Sequence, residues 1–109
     1  MNIIIKATNT TLTPAIKVFI EEKLGNFSKF LRSEEKVYVE LEFEKKHQSG
    51  KVFRVEVDIQ PHGHYAEARG NDFYEAMDLL IPKIKEQLTK EKDKRISLRR
   101  RKKRLYKNS

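Results

Sequence analysis

The chain has 109 residues, of which 38% are hydrophobic and 37% charged, and its formal net charge at pH 7 is +8. This length supports one domain with a single core. The absence of cysteine excludes disulfides, thiolate chemistry and zinc sites with sulfur ligands. No segment approaches the roughly twenty apolar residues of a membrane span, and the N-terminus lacks a charged leader. We therefore expect a soluble, cytoplasmic protein.

The first predicted elements are a short strand and a helix. Apolar residues alternate over residues 3–7, which predicts the strand. Thr13 and Pro14 are typical of a helix N-cap followed by proline at the first helical position. Apolar residues then recur at three- and four-residue spacing, which predicts a helix of roughly residues 14–31. They are Ile16, Ile20, Leu24, Phe27 and Leu31.

The pattern then changes to strict alternation. Residues 37–44 and 53–59 predict two strands joined by a turn at 47–50, and a second turn leads to a fourth strand at 64–69. One side of the hairpin is apolar, and Tyr38 is the only obvious aromatic residue on the other side. That other side carries the carboxylates of Glu40, Glu42, Glu44, Glu56 and Asp58.

A second helix begins after Asp72, since Asp72 and Glu75 have the spacing of a capping box. Its apolar stripe consists of Phe73, Met77, Leu80, Ile84 and Leu88. Pro82 predicts a kink. The order β-α-β-β-β-α predicts an α+β fold in which both helices pack on one face of a four-stranded sheet.

The charge is unevenly distributed along the chain. Residues 1–94 contain 16 lysines and arginines against 16 acidic residues, whereas residues 95–109 contain eight against none. We therefore divide the chain into a domain at 1–94 and a basic C-terminal tail at 95–109. Six consecutive cations in the tail favour a polyanion, since each phosphate neutralised releases a counterion. The alternative is a solvated tail that binds any anion weakly.

The predicted helices are also basic on one side. At 100° per residue, four residues of the second helix fall within about 60° of one another. They are Lys83, Gln87, Lys90 and Lys94. In the first helix, Lys23 lies at the flank of the apolar face and Lys29 on the exposed side. The alternative is that such lysines only border a buried face.

The acidic sheet face argues against an RNA-recognition motif, which binds bases on the aromatic residues of its open sheet. Carboxylates there repel phosphate. RNA binding is therefore expected through the helices and the tail.

Histidines and carboxylates give only weak signals of other chemistry. His62 and His64 surround a turn, with His47 as a third candidate metal ligand, but ordinary loop histidines explain them better. The chain shows neither a catalytic triad nor a phosphate-binding glycine loop. We expect no enzymatic activity, no cofactor and no metal. A small hydrolase or metal enzyme that uses His62, His64 and a glutamate is a distant alternative.

The chain resembles the ribosome hibernation promoting factor and ribosome-associated inhibitor A family, the bacterial Y-proteins. The resemblance lies in the opening strand followed by residues 12–17, in the hairpins, and above all in residues 70–94. The matching residues of this last segment are Asp72, Tyr74, Ala76, Lys83, Gln87, Leu88, Lys90, Lys92 and Lys94. Departures from the family pattern are Asn26, Pro82 and Glu86, the last where relatives often carry arginine, with Lys85 as a neighbouring substitute.

The resemblance implies a fold similar to a double-stranded RNA-binding domain. It also implies a translation inhibitor of stationary phase or stress, bound to small-subunit ribosomal RNA in the decoding region. There it would cover the sites of messenger RNA and of A- and P-site transfer RNA, and hold ribosomes inactive. The implied RNA contacts from the helices are Lys23, Lys29, Lys83, Lys90, Lys92 and Lys94.

The tail matches neither the short members of the family nor the acidic extension of the inhibitor type. We hypothesise that it follows ribosomal RNA and adds affinity through Arg95, Arg99, Arg100, Arg101, Lys102, Lys103 and Arg104. The chain is either a short form of the family or the N-terminal part of a long form. The alternative function is a general double-stranded RNA-binding module that recognises duplexes by shape.

Overall fold

The computed structural model describes residues 2–32, 34–45, 52–61 and 63–107, with side chains as far as residue 91. The elements follow the order β-α-β-β-β-α, with a 3-10 turn after the first helix. One layer is a four-stranded sheet, and the helices form the other. The predicted α+β fold is confirmed.

The sheet contains β1 (Asn2–Thr8), β2 (Lys36–Phe43), β3 (Phe53–Gln60) and β4 (His64–Gly70). The strands lie side by side in that order. β1 is parallel to β2, while β2 with β3 and β3 with β4 are antiparallel. Both predicted hairpins are therefore present, although the turn predicted at 47–50 lies outside the described residues.

The core lies between the sheet and the helices. Alternate residues of β2, β3 and β4 point towards the helices, as the period of two in the sequence predicts. Their burial removes apolar surface from water and holds the two layers together. The buried residues of these strands are Val37, Val39, Leu41, Val55, Val57, Ile59, Ala66 and Ala68.

The first helix, α1 (Pro14–Gly25), begins as predicted. The Thr13 hydroxyl accepts a hydrogen bond from the Ile16 N–H at 3.2 Å, and Pro14 occupies the first turn. This bond satisfies one of the amide donors that a helix N-terminus leaves without an intrahelical partner.

The prediction that this helix extends to residue 31 is wrong. The helix ends at Gly25, and a 3-10 turn (Ser28–Phe30) follows. Gly25 and Asn26 both have low helix propensity. The Phe27 N–H then donates to the Leu24 carbonyl at 2.9 Å, a shorter-range bond than the α-helix uses. Phe27 is still buried in the core, so the apolar spacing indicated burial correctly but not helix length.

The second helix, α2 (Phe73–Lys107), starts at a side-chain cap and a close contact. The Asp72 carboxylate accepts a hydrogen bond from the Glu75 N–H at 2.7 Å, as the capping-box spacing predicts. Glycine is required at position 70, because a Cβ there would lie 2.7 Å from the Ala76 nitrogen. β4 therefore turns directly into α2.

The rest of α2 packs on the sheet through the predicted stripe, Phe73, Met77, Leu80, Ile84 and Leu88, together with Ala76. Pro82 lies inside the helix, which continues beyond it. The helix also runs across the proposed boundary at residue 94. Among the described residues, no helix combines the length and the apolar character that a membrane crossing needs.

Candidate nucleic-acid interface

A groove of about 340 Å³ lies between α2 and the end of α1 with the 3-10 turn that follows it, and three lysines line it, Lys23, Lys29 and Lys85. Phe27 and Phe30 also line it. Ammonium groups attract phosphate from several sides, and aromatic rings offer flat apolar surface to a sugar or base. The groove is therefore chemically suited to a nucleic-acid strand.

Two lysines of this groove are held by weak contacts. The Lys23 Nζ lies 3.7 Å from an Asp78 carboxylate oxygen and 5.4 Å from the centroid of the Phe19 ring. The Lys29 Nζ lies 5.3 Å from the centroid of the Phe30 ring. Because exposed ion pairs and cation–π contacts of this kind contribute little free energy, both ammonium groups are available to an anion.

A second groove, of about 450 Å³, lies on the other side of α2, against β4. Lys83, Gln87 and Lys90 line it, so the described members of the predicted polar stripe lie together. At 100° per residue, Lys83 and Lys85 are about 200° apart around the helix. α2 therefore carries lysines on both flanks rather than along one stripe.

Two side chains of the second groove already bond to the sheet. The Lys83 ammonium donates to the Glu67 carbonyl at 2.8 Å. The Gln87 side-chain oxygen accepts from the Tyr65 N–H at 3.0 Å. These bonds satisfy backbone groups at the outer edge of β4, which would otherwise be open to pairing with another strand. Lys83 therefore also has a structural role.

The outward ridge of α2 carries an acidic residue, Glu86. Its carboxylate lies 2.8 Å from the Lys90 Nζ, one helical turn further on. The hydrogen bond and the charge of Lys90 lower the pKa of Glu86. Glu86 therefore neutralises part of the positive charge on this helix.

The open face of the sheet, which points away from the helices, has the opposite character. Arg54 is surrounded by four carboxylates, with its guanidinium 3.0 Å from Glu40, 3.4 Å from Glu42, 2.9 Å from Glu67, and in contact with Glu56. Burial works to lower the pKa of Arg54, but these glutamates hold it above its usual range. Four carboxylates around one cation leave this cluster with excess negative charge, which disfavours phosphate.

Tyr38 is not the only aromatic residue on the open face. Tyr65 of β4 lies there too, in the same cross-strand row as Tyr38 and Asp58. Ala66 and Ala68 of β4 are buried, and alternate residues of a strand point to opposite faces, so the sequence alternation in β4 could have predicted that Tyr65 lies on the open face.

The structure describes only part of the other predicted sites. His64 contacts the Glu91 carboxylate, while His47 and His62 lie outside the described residues. Within the described part of the chain, no three potential ligand side chains form a group that could hold a metal. The remaining predicted RNA contacts belong to side chains beyond the described ones: Lys92, Lys94, Arg95, Arg99, Arg100, Arg101, Lys102, Lys103 and Arg104.

Known proteins resemble this chain over most of its length. It is 34% identical over 94 residues to a ribosome hibernation promoting factor of Klebsiella oxytoca, covering 86% of this chain and 96% of the relative. It is 35% identical over 95 residues to the protein of that name in Escherichia coli strain K12, with the same coverage.

Solved structures share the fold. The N-terminal domain of Thermus thermophilus Protein Y superimposes with a TM-score of 0.67 at 26% identity, covering 83% of this chain and 98% of that domain. A ribosomal subunit interface protein from Coxiella burnetii gives 0.69 at 23% identity, covering 85% and 99%, and supports the fold alone. The family model described as Sigma 54 modulation protein / S30EA ribosomal protein matches residues 3–96. The chain therefore belongs to this family, which includes the ribosome hibernation promoting factors.

Proposed function

We propose that this protein is a cytoplasmic translation inhibitor that binds the small ribosomal subunit. It docks on ribosomal RNA in the decoding region and blocks the sites of messenger RNA and of A- and P-site transfer RNA. Ribosomes are thereby kept inactive but intact in stationary phase or under stress. The name that the Klebsiella oxytoca and Escherichia coli relatives share, ribosome hibernation promoting factor, supports the ribosome as partner.

The observation that carries this proposal is the separation of charge between the two layers. Lysines line the grooves on both flanks of α2, whereas carboxylates surround the central arginine of the open sheet face. A polyanion therefore meets attraction on the helical side and repulsion on the other. Since phosphate contacts set the orientation of a protein on RNA, this asymmetry favours docking through the helices.

The proposed contacts come from the two grooves and the basic tail. Lys29 and Lys23 contribute from the first groove, and Lys83 and Lys90 from the second. Lys85, which also lines the first groove, is a further proposed contact. The remaining contacts are Lys92, Lys94, Arg95, Arg99, Arg100, Arg101, Lys102, Lys103 and Arg104.

The proposed inhibition of translation requires no chemical step. The protein occupies space that messenger RNA and transfer RNA require, so its effect depends on affinity and on mutual exclusion. A ligand that binds in place of another lowers the apparent affinity of its competitor by mass action. Strong dependence on salt follows, since phosphate contacts release counterions.

Chemical probing of small-subunit RNA tests the location. The proposal expects protection of decoding-region nucleotides when the protein is added, and loss of this protection when messenger RNA and P-site transfer RNA are bound first. Protection scattered over duplex segments throughout the subunit would instead indicate a general double-stranded RNA-binding module. Simultaneous binding with transfer RNA would contradict the proposed blocking.

A further inference from the structure

One row of side chains across the open sheet face is apolar at three of its four positions. The strand register places Ile4, Tyr38, Asp58 and Tyr65 opposite one another in β1, β2, β3 and β4. The exposed fraction is 42% for Ile4, 41% for Tyr38 and 45% for Tyr65. These three are half of the large hydrophobic residues that the described part of the chain exposes. Such grouping on one face is typical of an interaction site.

Asp58 lies between the two tyrosines of this row and makes no ion pair with any described lysine or arginine. Its carboxylate accepts one hydrogen bond, at 2.8 Å, from the Gln60 side-chain amide. A carboxylate has about four lone-pair positions for hydrogen bonds. Asp58 therefore retains unused capacity to bind a cation.

The surroundings of this row are negative. The Tyr65 hydroxyl donates to a Glu67 carboxylate at 3.2 Å. Burial, followed by the charges of Glu56 and Glu67, raises the pKa of Tyr65. A phosphate would be repelled from this surface, whereas a positively charged group would be attracted.

We propose that Tyr38, Asp58 and Tyr65 form a binding site for an arginine side chain on a basic segment of a partner protein. In antiparallel pairs, opposite Cβ atoms lie about 5 Å apart, so a planar guanidinium bound to Asp58 is within reach of the ring of either neighbouring tyrosine. The guanidinium stacks on a tyrosine ring and donates two parallel hydrogen bonds to the Asp58 carboxylate. Lysine fits less well, because its ammonium group is neither planar nor able to form this fork.

This site is centred on a different surface from the proposed RNA interface. The row lies on the open face of the sheet, whereas the groove lysines belong to the helical side, so one molecule can hold RNA through the helices and a basic protein segment through the sheet. The row shares no residue with the first groove, whereas its Tyr65 also lines the second groove. Asp58 lines neither groove, so a change at Asp58 tests this site without altering the lysines of the proposed RNA interface.

The test is a titration of the isotope-labelled full chain, followed by amide NMR at low salt, with a short peptide that alternates arginine with glycine. We expect saturable shift changes centred on Tyr38, Asp58 and Tyr65. Asp58→Asn, which removes the charge but little volume, should weaken binding at least about fivefold. The control Glu22→Gln, on exposed α1, should bind as the parent does. Tyr38→Leu, which keeps an apolar side chain, should also weaken binding.

A matched peptide with lysine in place of arginine should bind several-fold more weakly. Equal binding of the two peptides, unchanged affinity of Asp58→Asn, or shifts spread evenly over all exposed glutamates would overturn the proposal. A single-stranded RNA that shifts the same three amides would also overturn it, since this surface would then bind nucleic acid.

Discussion

Gln87 and Tyr65 exchange a pair of hydrogen bonds between α2 and the edge of the sheet. The Tyr65 N–H donates to the Gln87 side-chain oxygen at 3.0 Å, and the Gln87 amide donates to the Tyr65 carbonyl at 2.5 Å. The Gln87 side chain thus occupies the edge of β4 where the backbone of a fifth strand would form its hydrogen bonds. Gln87, which the helical projection of the sequence places within a basic stripe, therefore links the helical layer to the sheet.

Replacing Gln87 should weaken this link. We expect Gln87→Leu to lower the free energy of unfolding by about 1–2 kcal/mol, because two backbone groups of β4 lose their partner. Urea unfolding measures the change. Gln87→Glu keeps the acceptor but loses the donor, so its effect should fall between the parent and Gln87→Leu. A midpoint for Gln87→Leu equal to that of the parent would contradict this role.

Arg54 should stabilise the sheet only while its glutamates are charged. Its side chain is 12% exposed and contacts four carboxylates. Arg54→Met should therefore lower the free energy of unfolding by about 2 kcal/mol at pH 7, less than for a fully buried pair because the glutamates reach solvent.

The pH dependence of this effect follows from two glutamates. The hydrogen bond from Arg54 lowers the pKa of Glu67. Burial works to raise the pKa of Glu40, but bonds from Arg54 and Thr8 outweigh it and leave the pKa below its ordinary 4.5. A lowered folded pKa gives stability that is present above the ordinary value and lost as pH falls through the folded one. The cost of Arg54→Met, measured from pH 7 to 3, should shrink below about pH 4.5; a constant cost would show that charge is not its cause.

The groove between α1 and α2 can be tested by removing two cations. We expect the double variant Lys29→Gln/Lys85→Gln to bind small subunits more weakly and to reduce the slope of log affinity against log salt by about 1.5, as for two lost phosphate contacts. Filter binding over a range of salt concentrations gives this slope. The matched control is Lys6→Gln/Lys36→Gln in β1 and β2, which removes the same charge from exposed residues of the sheet. If both double variants show the same loss, net charge rather than the groove determines affinity.

Glu86 should oppose RNA binding. Its carboxylate lies on the outward ridge of α2 and holds the Lys90 ammonium at 2.8 Å. Glu86→Gln should raise affinity for small subunits about threefold at low salt, because it removes a repulsive charge and releases Lys90. Glu34→Gln, at another exposed carboxylate, should have little effect. An unchanged affinity for Glu86→Gln would mean that this ridge does not face RNA, and a lower affinity would show that Glu86 favours binding.

Much of the fold could be predicted from the sequence, because burial follows periodicity. The alternation in β2 and β3 identified the core positions Val39 and Val57, and the spacing of Met77 and Ile84 identified the buried face of α2. The end of α1 could not be predicted, since apolar spacing continues through Phe27 although the helix stops. The apolar spacing continues because Phe27, just beyond the end of the helix, is still buried in the core.

The candidate site was less predictable than the fold. Lys83 and Lys90 could be grouped from helical geometry alone. The proximity of Lys29 to Lys85 depends on how the 3-10 turn after α1 packs against α2, which no local sequence pattern contains. The same limit applies to Tyr65, whose place beside Asp58 depends on strand register.

The most direct test of the account is sedimentation of the purified protein with small ribosomal subunits in the presence of excess duplex RNA. We predict that the protein stays with the subunits despite the competitor, because a specific site offers more contacts than a generic duplex. Loss of the protein to the duplex RNA would contradict the account and leave a general basic RNA-binding protein with this fold.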